Sequence, residues 1–313
     1  PVARVVGWAA PRRIDQGMYA AFRRKFPAID DIPDVGAVVP AKASAESILS
    51  VRPDLFVVSL WQPGWEDTVA TLEAAGVPTL FLDAIAADDR DPGEATALSI
   101  ELLGKAIGRD EQAQAFAGFV RSRYGRVAER LETVTERPNV LFDAHAGAVC
   151  CNVPGSGNRI TSYVELAGGR SVGSDAVPGY DGQISPEYVL GVDPDVYVGT
   201  GGPNPAVHDG LVVGGGIDAA TARASLQAVA SRNSLGGLTA VSAGRAYAVS
   251  HQLAISALNV LVLECLARWS HPGLFADLDP GDTLAEINRR FMAVPLEGTF
   301  WIGLEDGPDA GKP

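Results

Sequence analysis

Apolar residues in the first third of the chain fall into short β-branched runs that alternate with stretches of helical spacing. RVVGWA (4–9), LFVVSLW (55–61) and PTLFLDA (78–84) read as strands, and the segments near Gln16 to Lys25, Glu46 to Ser50 and Glu66 to Ala75 as helices. Such alternation predicts a parallel sheet covered on both faces. From Pro92 to Val134 the text turns helical, and Asp110 opens a run in which Ala113, Phe116, Val120, Tyr124, Val127 and Leu131 recur every three or four residues. That spacing predicts one long amphipathic helix. After Pro138 the alternation resumes: strands NVLFDAHAG (139–147), DVYVGTG (195–201) and RAYAVSHQL (245–253), with helices near Ile160 to Ala167, after Ser185, near Arg223 to Ala230, near Ala257 to Trp269 and near Leu284 to Phe291.

The pattern therefore predicts an α/β fold of two Rossmann-like lobes. They are an N-terminal lobe (1–109), a linking helix (110–134), a C-terminal lobe (138–306) and a disordered tail (307–313). A single helix does not bend as a loop does, so the lobes are expected to stand at a nearly fixed angle with a ligand cleft between them. The duplication is visible in the letters. SAESILSVRPDLFVVS (44–59) returns as SPEYVLGVDPDVYVGT (185–200), each a capped helical turn, a Pro-Asp break and an apolar run, with Glu46 and Glu187 in matched register.

Composition narrows the possibilities. At 313 residues, with 47% hydrophobic and 20% charged, the chain has enough material for two domains with their own cores. A net charge of −13 repels nucleic acid and anionic lipid, so neither is an expected partner. No apolar run reaches the roughly 18 to 20 residues of a membrane span. The chain starts at Pro1 directly before a strand-like run, with no basic and apolar leader ahead of it, so any signal peptide is expected to be absent from this chain. Of Cys150, Cys151 and Cys265, the adjacent pair is not expected to bridge, because the ring so closed is strained; a bridge from one of them to Cys265 is conceivable, and no CxxC spacing suggests a metal site.

Several of these features together resemble the class III substrate-binding proteins of bacterial ABC importers, the group that carries ferric siderophores, haem and vitamin B12. The resemblance covers nearly the whole chain. It rests on the two ExxLxxxPD-like elements (46–54 and 187–195), AGVPTLFLDA (75–84), the long helix and VPGSGNRITSYVELAGG (153–169). It implies that Glu46 and Glu187, one per lobe, dock into arginine pockets of a dimeric permease, where charged pairs fix register. As plain early-helix carboxylates they would instead favour the helix dipole. It also implies a monomer, periplasmic or lipid-anchored, with no cofactor of its own.

Ligands of open parallel sheets gather at the carboxyl ends of strands. On the N-terminal lobe those positions hold Trp8, Arg12, Arg13, Trp61, Gln62, Trp65 and Asp83; on the C-terminal lobe, His145, the Thr200-Gly201-Gly202 turn and His251, with Tyr180, Asp181 and Gln183 on the loop before the second repeat. The tryptophans offer a stacking wall or pack under loops, and the arginines can hold anionic oxygens. The histidines can hydrogen-bond or ligate, or be structural. His208 and His271 are given no role.

All four histidines lie at or beyond His145, leaving the first lobe without an imidazole, so a free transition metal is not the expected cargo. Vitamin B12 would favour aromatics without paired arginines; haem stays open through His145, His251 or Tyr180. A ferric siderophore suits the mixture of Trp, Tyr and Arg best. Among other classes, GRSVG (169–173) matches a hydrolase nucleophile elbow around Ser171, but the pattern places a helix before it and a loop after it. GSGNRI (155–160) reads as a turn that can offer backbone N–H groups to a ligand rather than a dinucleotide site. A ligand-sensing ectodomain of the same fold is the third reading.

Overall fold

The structure, a computed structural model, describes residues 2–59, 64–83, 92–203, 210–232 and 235–305. The chain divides into two compact units, Pro1–Val120 and Arg121–Pro313. The boundary falls inside the uninterrupted helix Asp110–Leu131 that the apolar spacing predicted.

In the N-terminal unit, helices α1 (Gln16–Lys25), α2 (Ala45–Ser50), α3 (Glu66–Ala74) and α4 (Pro92–Ala106) accompany strands β1 (Phe56–Ser59) and β2 (Thr79–Leu82), and α5 (Asp110–Leu131) begins. The two strands pair in parallel, with Phe56 opposite Thr79 and Ser59 opposite Leu82. Ile48, Leu72 and Val77 form one small core beneath them, and Val58, Trp65 and Val69 another. RVVGWA is not a strand. Its one ladder contact is a parallel bridge from Trp8 to Asp34, and Val5 and Val6 stay exposed, so the run has β-branched residues but no neighbouring strand to pair with.

The C-terminal unit carries strands β3 (Asn139–Asp143), β4 (Asn152–Pro154), β5 (Arg170–Ser171), β6 (Asp181–Gln183), β7 (Val196–Gly201), β8 (Gly214–Gly215), β9 (Ala246–Ser250), β10 (Gly298–Thr299) and β11 (Trp301–Gly303). Its helices are α6 (Arg159–Leu166), α7 (Val172–Ala176), α8 (Pro186–Val192), α9 (Ala219–Ala230), α10 (Thr239–Ser242), α11 (His251–Ala254), α12 (Asn259–Ser270) and α13 (Pro280–Arg290). A five-stranded sheet runs in the order β11-β9-β7-β3-β5, parallel except for β11. Every residue of the central strand β7 is buried, which explains its unbroken apolar text. Helix α12 is buried except at Arg268, its apolar residues enclosing Asn259 and Glu264.

The two repeats fold alike in detail. Ser44 and Ser185 accept the backbone N–H three residues on (3.1 and 3.2 Å), which caps α2 and α8. Arg52 and Asp193, at the same place in the repeat, take left-handed backbone with φ of 51° and 45°. Each precedes a proline, whose ring excludes the right-handed helical conformation from its neighbour, so both helices end there.

Two expectations are corrected in this unit. Cys150 and Cys151 are bridged to each other across a cis peptide, with Cα atoms 3.1 Å apart, and Cys265 is buried and bridged to neither. Ser171 does have a strand before it (β5) and a helix after it (α7), the reverse of what the pattern suggested. The expected tail (307–313) and His208 lie outside the described residues.

Candidate functional site

Three parallel strands of the C-terminal unit, β3, β7 and β9, end side by side, and the residues at their carboxyl ends converge on Thr200. Its register explains why: Asp143 pairs with Gly199, and Gly199, Thr200 and Gly201 pair with Ala248, Val249 and Ser250. Two residues past Asp143 the chain turns through His145, at φ 55°, and directly past Ser250 it enters α11 at His251. Thr200 is fully buried, and its hydroxyl oxygen accepts the His145 N–H (2.8 Å) and lies 3.1 Å from His251 Nδ1. Its carbonyl accepts the Ala146 N–H (2.9 Å). One threonine thus holds both ends of the adjoining loops.

The imidazoles of His145 and His251 lie 3.8 Å apart between centroids and are tilted by 39°. His145 is exposed and His251 half-buried. Burial, and then the adjacent His145, push the His251 pKa down to about 3, so the ring is neutral over the physiological range. With the Thr200 hydroxyl donating to an unprotonated Nδ1, His251 presents Nε2–H as a donor to anionic oxygens; in the other tautomer Nδ1–H donates to Thr200 and Nε2 presents a lone pair.

Below this edge, Asp143 is buried and accepts from Tyr197 Oη (3.0 Å) and the Asn152 N–H (3.1 Å). Burial raises its pKa to about 6 against the lowering effect of these bonds. The Asn152 carbonyl in turn accepts the Ala144 N–H (2.7 Å), which ties the antiparallel β4–β6 pair to the loop bearing His145. Tyr180, half-exposed, directly precedes β6, which holds Asp181 and Gln183.

Gly201 does not line an open turn. It is buried within β7, and a methyl group there would collide with the Leu211 carbonyl; the glycine lets that segment pack against the strand. The GSGN turn offers no free donors either. The N–H groups of Gly155, Ser156 and Gly157 are taken by the carbonyls of Tyr180, Val177 and Gly179, and Asn158 caps α6. Ser171 is buried and its hydroxyl oxygen accepts the Ser174 N–H (3.2 Å), so the strand and helix around it do not present a nucleophile to solvent.

In the N-terminal unit, Trp65 is corrected from stacking wall to core residue. It is 6% exposed and packs with Val58, Val69 and Phe56. Because α3 starts immediately after it, its ring turns inward over β1 rather than out past the strand end. Trp8 is half-buried with Tyr19 6.1 Å away, and Arg12 and Arg13 extend from an exposed turn, Pro11–Arg13. Asp83, at φ 61°, accepts from Ser59 Oγ (2.6 Å) and donates its N–H to Ser99 (2.9 Å). Trp61 and Gln62 lie outside the described residues. Glu46 and Glu187 are both exposed on the first turns of their helices.

The organising part played by the Thr200 side chain was missed from the letters. The repeat held the signal: Ser59 occupies the same register and likewise reaches, through its hydroxyl, a residue after the neighbouring strand. Among the described residues no group of three or more His, Cys, Asp and Glu side chains is placed to hold a metal ion, and no helix is long and apolar enough to cross a membrane.

Comparison with known proteins agrees with this architecture. The chain is similar over its length to solved structures of low identity, which bear on the fold. A TroA-like periplasmic binding protein, FepB from Veillonella parvula, is 24% identical, with 93% of this chain and 83% of that one covered and a TM-score of 0.81. The molybdate periplasmic binding protein MolA of Haemophilus influenzae is 15% identical (94% and 87% covered, TM-score 0.70). The periplasmic heme-binding protein RhuT from Roseiflexus sp. RS-1 is 21% identical (82% and 87% covered, TM-score 0.56). No curated protein sequence matches. The family model described as periplasmic binding protein matches residues 22–253, most of the chain, and with the doubled α/β units and the histidine-bearing sheet edge this places the protein in the periplasmic binding protein family.

Proposed function

We propose that this protein captures a ferric siderophore outside the cytoplasm, as a periplasmic or lipid-anchored monomer, and delivers it to a dimeric ABC permease. The observation that carries the cargo assignment is the pair of close, mutually tilted imidazoles held by Thr200 at the carboxyl edge of the sheet. A siderophore wraps its iron in catecholate, hydroxamate or carboxylate oxygens. A neutral His251 donates to such oxygens without adding a charge that titrates near neutral pH, and the exposed His145 ring offers a flat face to the shell. Tyr180 adds an aromatic surface, and Trp8, Arg12 and Arg13 of the N-terminal unit are proposed as further cargo contacts.

Haem is the second reading, favoured by the same imidazoles, because the tautomer with a free Nε2 lone pair suits an axial iron ligand. The two are separated by titrating the purified protein with ferric siderophores, haemin and cobalamin while following tryptophan fluorescence. Saturable quenching by a ferric siderophore is expected. Quenching by haemin alone, with a Soret shift lost in His145→Ala, would replace the proposal with haem carriage.

For delivery, Glu46 and Glu187 are proposed as the permease contacts. Both are exposed and sit at matched positions of the repeat; the Glu187 backbone N–H and the Ser185 hydroxyl hold the Glu187 carboxyl below the usual range. Glu46→Ala with Glu187→Ala is expected to abolish uptake while leaving cargo affinity unchanged. Uptake at the wild-type rate would sink the docking assignment.

A further inference from the structure

The bridge between Cys150 and Cys151 joins neighbours in sequence, and both residues are buried, at 9% and 0% exposure. A disulfide stabilises a fold chiefly through the length of chain it closes off in the unfolded state, and this one closes off none. Its effect is therefore local, and it falls in the segment that carries His145.

That segment, from Ala144 to Cys151, is a loop pinned on both sides. At its base the Ala144 N–H donates to the Asn152 carbonyl (2.7 Å) and the Asn152 N–H to Asp143 (3.1 Å). On the outgoing side His145 and Ala146 donate their N–H groups to the Thr200 hydroxyl and carbonyl, and the Ala146 carbonyl accepts the Leu211 N–H (3.1 Å). On the returning side Cys151 exchanges both backbone bonds with Ile184 (3.3 and 3.1 Å). Between these pins Ala148 and Val149 are exposed, Val149 at 68%. The two cysteines belong to the same core cluster as Ala146 and Leu211. Opening the bridge replaces a bond by a non-bonded contact and adds two hydrogens inside that close-packed cluster, which is relieved by moving neighbours. Ala146 is one of them, and it directly follows His145.

We propose that Cys150 and Cys151 form a reversible redox site: exchange with a dithiol opens the bridge, shifts the His145 loop and lowers cargo affinity. The proposal rests on the reading of the imidazole pair as the cargo contact. A thiolate of the dithiol attacks the sulfur of Cys150, the less buried cysteine, which forms a mixed disulfide and releases the Cys151 thiolate to take up a proton. The second thiol of the reagent then attacks the reagent's own sulfur in the mixed disulfide, closes the reagent's ring disulfide and releases Cys150 as a thiol. Two electrons and two protons pass from the dithiol to the protein, and a disulfide oxidant reverses the exchange.

The test uses the purified full chain, treated with dithiothreitol and alkylated without denaturant. Peptide masses are expected to show Cys150 and Cys151 both alkylated, with Cys265, 1% exposed, labelled only after unfolding. A Cys150–Cys151 bridge that survives in the native protein overturns the proposal. Histidine ring signals in NMR spectra, assigned through His145→Ala and His251→Ala, are expected to shift on reduction and to return with oxidised glutathione; the double variant Cys150→Ser, Cys151→Ser should not respond to dithiothreitol. Ring signals that stay in place in the reduced protein overturn the proposal as well, and this arm needs no variant beyond those used for assignment. Cargo affinity is read with gallium(III) complexes of a trihydroxamate and a tricatecholate siderophore, whose metal dithiothreitol does not reduce. Affinity is expected to fall about tenfold on reduction, as for loss of one well-placed hydrogen bond. Equal affinity in both redox states overturns the coupling to cargo. Binding of neither complex in either state overturns the siderophore reading, while reversible alkylation and shifted ring signals uphold the redox site.

Discussion

Glu264 makes the C-terminal unit sensitive to pH in a direction that can be worked out. It lies on α12, is 1% exposed, and has Arg123 Nη1 of the long helix 3.7 Å from Oε1; neither carboxylate oxygen completes a hydrogen bond. Arg123 is engaged more closely by Glu286, at 2.5 Å. Burial therefore dominates and raises the Glu264 pKa from 4.5 to about 7, with Thr283 and the Arg123 and Arg126 guanidiniums offsetting part of the effect. A raised carboxyl pKa means that the folded state binds the proton more tightly than the unfolded chain. Stability from this group is present below the unfolded value and lost as pH climbs from about 4.5 to about 7. At about 1.4 kcal/mol per tenfold in proton affinity, ionised Glu264 costs the fold about 3 kcal/mol at pH 8. Glu264→Gln keeps the shape and removes the titration. Its stability is expected to match wild type near pH 5 and to exceed it by about 1–3 kcal/mol at pH 8.5, Arg123 retaining Glu286. Urea unfolding followed by the fluorescence of Trp269 and Trp301, both in this unit, measures the difference pH by pH. Asp143, raised to about 6, and His251, lowered to about 3, titrate in both proteins and cancel in that difference. Parallel stability curves for the two proteins from pH 5 to 8.5 would refute the reasoning.

Other expectations follow from particular contacts. His251→Ala should weaken ferric siderophore binding at least tenfold, and wild-type affinity should hold between pH 7.5 and 5 as far as this ring is concerned, since it protonates only near pH 3; titrations at the two pH values check both, and an affinity that collapses by pH 5 in wild type but not in His251→Ala contradicts the neutral imidazole. Thr200→Val keeps the volume but leaves the His145 N–H without its acceptor, so it should cost about 1–3 kcal/mol and loosen cargo binding as well, read by denaturant midpoint and titration. Trp65→Ala should destabilise the N-terminal unit by about 3–5 kcal/mol, as truncation of a buried aromatic does, while leaving siderophore affinity per folded molecule unchanged. Ser44→Ala and Ser185→Ala each remove an N-cap and should lower stability by about 0.5–2 kcal/mol, measurable as a shift in Tm.

Much of the secondary structure was legible because its determinants are local. The α1 and α5 helices start at Gln16 and Asp110 as the spacing predicted, and the Ser44 and Ser185 caps and the pre-proline turns at Arg52 and Asp193 are fixed within a few residues of each end. RVVGWA failed because a β-branched run forms a strand only when a neighbour supplies the ladder. The last strand, β11, was missed for the converse reason: WIG is three residues long and becomes a strand only by pairing antiparallel with β9.

Site residues divide along the same line. His145 and His251 could be placed past strand ends because strand ends can be counted in the sequence, yet nothing in the letters shows their rings meeting over Thr200, which depends on the register of β7 between β3 and β9. Trp65 sits at a strand end in the sequence just as Trp8 does; the start of α3 turns it into the core.

The sequence by itself determined the doubled α/β order, the long helix between its halves, the matched carboxylates Glu46 and Glu187 and the absence of histidine before His145, since each follows from periodicity, repeat or count. Only the tertiary structure decided which side chains face one another: the imidazole pair on Thr200, and the commitment of the GSGN donors and of the Ser171 hydroxyl to local bonds. Short-range preferences fix helices and turns because the interacting groups lie within a few bonds. The site requires strands far apart in the chain to pair in one register, and that choice is made by burial of the whole sheet.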